Sequence, residues 1–189
     1  MWGDSPWVRI PPSPPLSPGI CSGDSHLTTW EVVLVPEVFD FSAEEVMDEL
    51  LAEAARASMH GDIPIAAGCV FEGKLIAKRH NEKQIKKDSF GHAEILALKD
   101  AVEILGGPYL TGVTLVATLE PCLMCAGSML AHRIEGVVFA ASDPKGGAVG
   151  SLYNLASDPR LNHQMRRLAG VREKESSLLL MDFFESLRF

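Results

Sequence analysis

Two cysteines with two residues between them, Cys122 and Cys125 in "TLEPCLMCAG", have the widest chemical reach in the chain. Cys-x-x-Cys can be a redox pair, half of a structural zinc site or part of a catalytic metal centre, and the pair alone does not choose. Residues well upstream bear on the choice. His92 opens one strongly apolar segment, "HAEILALKDAVEIL", and the cysteines open another, "CLMCAGSMLAHR". A helix N-terminus carries partial positive charge and free N–H groups, which favour the thiolate that a metal requires. Cysteines three apart on a first turn can face one ion. Three soft or borderline N and S ligands suit tetrahedral zinc, and three rather than four leave a position for water, as a catalytic site does. Glu94 would not share a face with His92 in mid-helix. On a first turn seen end-on, both side chains can reach a metal above the axis, one binding it and the other its water.

A structural zinc site would need a fourth ligand from Cys69 or Cys21. Cys69 sits in an apolar stretch and reads as a packed core residue, while Cys21 lies in a proline-rich arm. His26, His60, His80 and His132 have no partner at metal spacing and read as surface or helix-end residues.

The elements that must position these residues follow from periodicity. Ser42 and Glu45 form a capping box before Val46, Leu50, Leu51 and Ala54, which predicts a helix over about 43–59. "IPIAAGCVFEGKLIAK" predicts two strands about a turn at Glu72–Gly73. After a polar loop, the His92 segment is apolar on nearly every side, as a helix between layers should be, and Gly106–Gly107–Pro108 ends it. "VTLVATLE" and "GVVFAAS" predict buried strands on either side of the cysteine helix. A short helix near 151–156 and an amphipathic one near 173–187 complete the chain. Strands alternating with helices predict an α/β sandwich, a mixed sheet covered on both faces.

Composition sets the bounds. The 189 residues are 47% hydrophobic and carry a net charge of −8, enough for one domain with a sizeable core and against indiscriminate nucleic-acid binding. No apolar run approaches the roughly 18 residues of a membrane span, and no secretory signal is evident, so a cytoplasmic protein is expected. Residues 1–40 hold seven of the twelve prolines and no lysine, which predicts a disordered extension ahead of a folded domain over 41–189. "VRIPP" also reads as a translated T-arm consensus of a transfer-RNA gene, which would place the true start further downstream.

His-Ala-Glu followed by Pro-Cys-x-x-Cys is the signature of the zinc-dependent deaminases, and the chain resembles them in it. "TLEPCLMCAGSMLAHRI" and "SDPKGGAVGSLYNL" resemble the bacterial tRNA-specific adenosine deaminases more than the cytosine or guanine deaminases of the same fold, over roughly 43–189. The resemblance implies a cytidine-deaminase-like three-layer α/β/α sandwich with a central mixed five-stranded sheet. It implies one zinc ion per chain on His92, Cys122 and Cys125, Glu94 as proton shuttle, and hydrolysis of wobble adenosine to inosine in a tRNA anticodon loop. Asn81 matches the asparagine that hydrogen-bonds the flipped base, Asp88 an acidic loop position, and Pro64 in "DIPIAA" a pocket strand. Ala93, Glu120 and Pro121 complete the implied substrate pocket. Lys83, Lys86 and Lys87, just ahead of the active-site helix, could meet phosphates, and His163, Arg166 and Arg167 are further implied RNA contacts. A homodimer bound to an anticodon stem-loop is expected. Two departures touch the pocket: "DSFGHAE" replaces Asp-Pro-Thr-Ala-His-Ala-Glu, and Ala66 replaces a glycine. The alternative is a deaminase of free guanine or cytosine, which would keep every catalytic residue; a pseudo-deaminase would be expected to lack Glu94.

Overall fold

The structure, a computed structural model, describes residues 39–188. The predicted disordered extension and displaced start, with Cys21 and His26, lie outside the described residues, apart from Phe39 and Asp40. Helix α1 (Ala43–Ser58) begins where the capping box put it, with the Ser42 hydroxyl accepting from the Glu45 amide at 3.3 Å. Its apolar stripe, Met47, Leu50, Ala54 and Ala57, is fully buried.

Strands β1 (Ala66–Phe71) and β2 (Lys74–His80) form the expected hairpin. Glu72 and Gly73 both take positive φ, 48° and 72°, which is the backbone that a two-residue turn needs to match the strand twist. Strands β3 (Thr114–Leu119), β4 (Gly136–Ala141) and β5 (Arg166–Ala169) complete a sheet of order β2-β1-β3-β4-β5. β1 is antiparallel to β2 and β3, while β3, β4 and β5 run parallel, so the five-stranded sheet is mixed.

Beyond β2 come a single turn, α2 (Lys83–Lys86), and the helices α3 (Ala93–Leu105), α4 (Leu123–Ala131) and α5 (Glu173–Ser186). Ala97 and Leu98 of α3, with Ala126 and Met129 of α4, pack on Cys69, Leu115, Val137 and Phe139. Met47 and Leu50 of α1, with Leu179 of α5, pack on Val70, Val116 and Val138 from the other face. The fold is therefore the expected three-layer sandwich. Cys69 is fully buried and its thiol is pushed up by burial, as a core residue should be.

One local expectation needs correction, and two features were not located in the sequence. No helix forms near 151–156: the Val149 and Ser151 amides turn inward to the Glu120 carboxylate instead of along a helix axis, and Gly150 closes a turn with Tyr153. The fifth strand that the resemblance implies, β5, was not located in the sequence, because its four residues, Arg-Arg-Leu-Ala, are mostly exposed on a sheet edge. Packing also reaches Phe39, two residues ahead of the expected domain boundary. Phe39 is 6% exposed, lies beside Phe41 and under the Arg166 guanidinium, and fills the space that Gly136 leaves by having no Cβ.

Candidate active site

The C-terminal end of β3 runs through Glu120 and Pro121 into Cys122, the residue that precedes α4, while His92 precedes α3. Both flanking residues have extended backbones, and neither side chain caps its own helix. They face each other instead. His92 Nδ1 lies 3.8 Å from Cys122 Sγ and 3.6 Å from Cys125 Sγ, and the two sulfurs are 3.6 Å apart. Tetrahedral zinc, with Zn–S near 2.3 Å and Zn–N near 2.0–2.1 Å, would put two sulfurs about 3.8 Å apart and sulfur and nitrogen about 3.6 Å apart. The three atoms thus sit at the spacing that one ion requires, and among the described residues they are a group that could hold a metal.

The site is electrostatically prepared for a cation. The Cys122 thiol is pulled down to about 3, first by its hydrogen bond with Cys125 and then by His92 and the Cys125 amide, against the opposing effect of burial. Cys125 is pushed up by the same sulfur contact and by its deeper burial. His92 is raised, chiefly by its bond with Cys122. A metal that binds here needs both sulfurs as thiolates, so its affinity falls in acid. Glu94 is buried beside this group, and that burial raises its carboxyl.

The start of α3 is held from β2. Asn81 accepts from the Ala93 amide through Oδ1 at 2.9 Å and donates from Nδ2 to the Ile63 carbonyl at 3.3 Å. It therefore caps α3 in place of His92 and ties that helix to the buried Pro64 turn, with a second amide hydrogen and a second lone pair still to offer. Sequence reasoning missed Asp62, which is 1% exposed and accepts from the Gln84 and Ile85 amides at 2.6 and 3.2 Å. This carboxylate anchors the lysine loop. Aspartate next to a Pro64-type turn was the only available signal. Lys83 and Lys87 are exposed, while Lys86 pairs with Glu82. Asp88 turns back to accept from the Phe90 amide at 2.9 Å.

Ala93, Pro121 and Glu120 are all buried against this centre, but the Glu120 carboxylate is occupied by backbone amides of the 143–151 loop. The structure does not bring His163 or Arg166 to the metal group. His163 Nε2 bonds the Ile134 carbonyl at 2.6 Å, ahead of β4, and Arg166 pairs with Glu135 where β5 begins. Because β3, β4 and β5 are parallel, that is the opposite end of the sheet, about 17 Å away at about 3.3 Å per residue. Arg167 reaches the loop from below and donates to the Val149 carbonyl at 3.1 Å. His132 donates to the Ser128 carbonyl at the end of α4, a helix-end residue as expected. His60 stacks on His80, and His80 lies 2.7 Å from Glu53.

Comparison with known proteins places this geometry. The MafB19-like deaminase family model matches residues 41–188. The tRNA-specific adenosine deaminase of Bacillus subtilis is 45% identical over 145 residues, which cover 77% of this chain and 90% of that protein. A structure from a study of A-to-I editing by tRNA:A34 deaminases at the wobble position superposes with a TM-score of 0.69 at 38% identity, covering 72% of this chain and 99% of that one. A guanine deaminase from Nitrosomonas europaea superposes at 0.63 but at 22% identity, over 87% of this chain and 98% of that one, and so shares the fold.

Proposed function

The chain belongs to the MafB19-like deaminases and, within them, to the tRNA-specific adenosine deaminases, and from that membership we propose that it converts wobble adenosine to inosine in a tRNA anticodon loop. The observation that carries the reading is the meeting of His92 Nδ1 with the Cys122 and Cys125 sulfurs at zinc spacing, with the Glu94 carboxylate buried beside them. His92, Cys122 and Cys125 would hold one zinc ion, whose chemistry is to acidify a water and offer it as nucleophile near neutral pH. Glu94 donates no ligand in this arrangement. It takes a proton from the attacking water, delivers it to adenine N1 next to the attacked C6, and then protonates the departing amino group, so that adenosine and water give inosine and ammonia.

Loop nucleotides are partly splayed, so extruding one base from an anticodon loop costs less than extracting it from a duplex. Asn81, fixed between Ile63 and Ala93, presents its remaining hydrogen and lone pair to the base edge, with Pro64, Ala93 and Pro121 as apolar walls. Lys83 and Lys87 supply cations for the loop phosphates despite the acidic chain, held in place through Asp62. The free-base alternative loses ground because the guanine deaminase match shares architecture at low identity, and architecture alone does not choose a substrate.

A second copy of the chain completes the assembly in this reading, with exposed apolar side chains on and around α4, Leu123 and Tyr109 among them, as the surface for it. No helix among the described residues is long and apolar enough to cross a membrane. The enzyme works in the cytoplasm, where its tRNA is.

Glu94→Ala tests the assignment. The variant should keep about one zinc per chain by elemental analysis and lose turnover, because it removes the proton carrier and spares all three ligands. Loss of the metal, or retention of most activity, would remove Glu94 from this role.

A further inference from the structure

We propose that Glu120 is a positioning residue for the metal centre: its carboxylate clamps the 143–151 loop, and that loop holds the backbone at Pro121 and Cys122. The proposal rests on the zinc reading given above. Glu120 is 2% exposed, and its four accepting positions are filled. Oε2 accepts from the Asp143 amide at 3.0 Å and from the Ser151 hydroxyl, while Oε1 accepts from the Val149 and Ser151 amides at 3.2 and 2.9 Å. All of these donors lie on one loop. A carboxylate filled in this way has no position left for a base edge, which separates Glu120 from the substrate contacts expected of it.

The loop in turn grips the ligand segment. The Ala148 amide donates to the Pro121 carbonyl at 2.8 Å, and Gly147 bridges Cys122 in antiparallel fashion. A methyl group on Gly147 would overlap the Glu120 carboxylate, so this close approach requires glycine. From β5, the Arg167 guanidinium lies against Gly150 and holds the Val149 carbonyl. Cys122 needs such outside support. It is half-buried, precedes the helix with an extended backbone, and has no side-chain cap of its own.

In Glu120→Gln, one oxygen becomes an NH2 that can satisfy only the Ser151 hydroxyl and must face the Asp143 amide; Glu120→Ala removes all four contacts. The full zinc-loaded chain would be mixed with excess chelator and its zinc release timed, with amide exchange followed over 143–151. Val138→Ala, a core cut on the α1 face of the sheet, serves as a control for general destabilisation. Release should quicken about tenfold in Glu120→Gln, the usual scale for losing an outer partner of a metal site, and further in Glu120→Ala. Exchange at 143–151 should rise with it, and Val138→Ala should release zinc at the wild-type rate. Wild-type release and exchange in Glu120→Gln, or equal acceleration in Val138→Ala, would overturn the clamp. A wild-type chain that binds no zinc would overturn the reading beneath it instead, and the exchange comparison would still decide whether Glu120 holds the loop.

Discussion

Replacing Asn81 by alanine would expose how far the active site depends on a cap supplied from another element. Helix α3 lacks a cap of its own because His92, the residue in that position, turns its imidazole to the cysteines. Asn81 accepts the Ala93 amide at 2.9 Å in its place, and Ala93 is fully buried, so water cannot take over that donor. A buried donor left unpaired costs about 1–3 kcal/mol, and losing a helix cap costs about 1 kcal/mol by itself, two descriptions of the same loss. The second bond, at 3.3 Å to the Ile63 carbonyl, ends on a partly exposed residue that water can serve, and adds little. Asn81→Ala should therefore lose about 2 kcal/mol, which in a chain of this size lowers the unfolding midpoint by about 4–8 °C. Asn81→Asp keeps the acceptor and places negative charge at a helix N-terminus, so it should lose less than half as much. Thermal unfolding of the zinc-loaded proteins followed by circular dichroism measures both. If Asn81→Ala melts within a degree of wild type, or Asn81→Asp falls as far as Asn81→Ala, the cap is not what holds the start of α3.

A chain beginning at residue 37 should unfold and deaminate like the full-length protein, whereas one beginning at residue 41 loses the buried Phe39 ring and should be destabilised by about 3 kcal/mol, a difference that denaturant titration of the two truncations would show. Glu53 is pushed up by burial but pulled down further by hydrogen bonds from His80 and Arg56, so its folded carboxyl sits below its ordinary value. Its contribution is complete above the ordinary value, about 4.3, and is lost as pH falls through the lower folded value. Stability measured against pH should accordingly show a shallower acid limb in Glu53→Gln, and an unchanged limb would mean that the α1–β2 pair carries no linkage.

The metal group was legible in the sequence because each ligand sits at a helix start written in local code: His92 and the Cys122–Cys125 pair each open an apolar run. The same locality made α1, the hairpin and the two parallel core strands readable. What stayed hidden depends on partners distant in the chain. Glu120 meets donors 23 to 31 residues further on, and those bonds also dissolve the helix that periodicity suggests near 151–156. β5 exists because β4 offers it a parallel edge, and Arg166 and Arg167 give it no apolar alternation to announce itself. Phe39 belongs to the core because Gly136 leaves room for its ring, a fact that the proline-rich stretch ahead of it conceals. His163, an RNA contact that only the resemblance implied, lies with Ile134 at the end of the sheet away from the cysteines, a placement that follows from parallel strand direction and not from its neighbours in sequence.

The most direct test is to give the purified zinc-loaded chain an anticodon stem-loop with adenosine at the wobble position, and in parallel free guanine and free cytosine, and to quantify inosine and ammonia. The account predicts inosine at the wobble position of the stem-loop and no ammonia from either free base. Ammonia released from guanine or cytosine, with the stem-loop adenosine left intact, would contradict it.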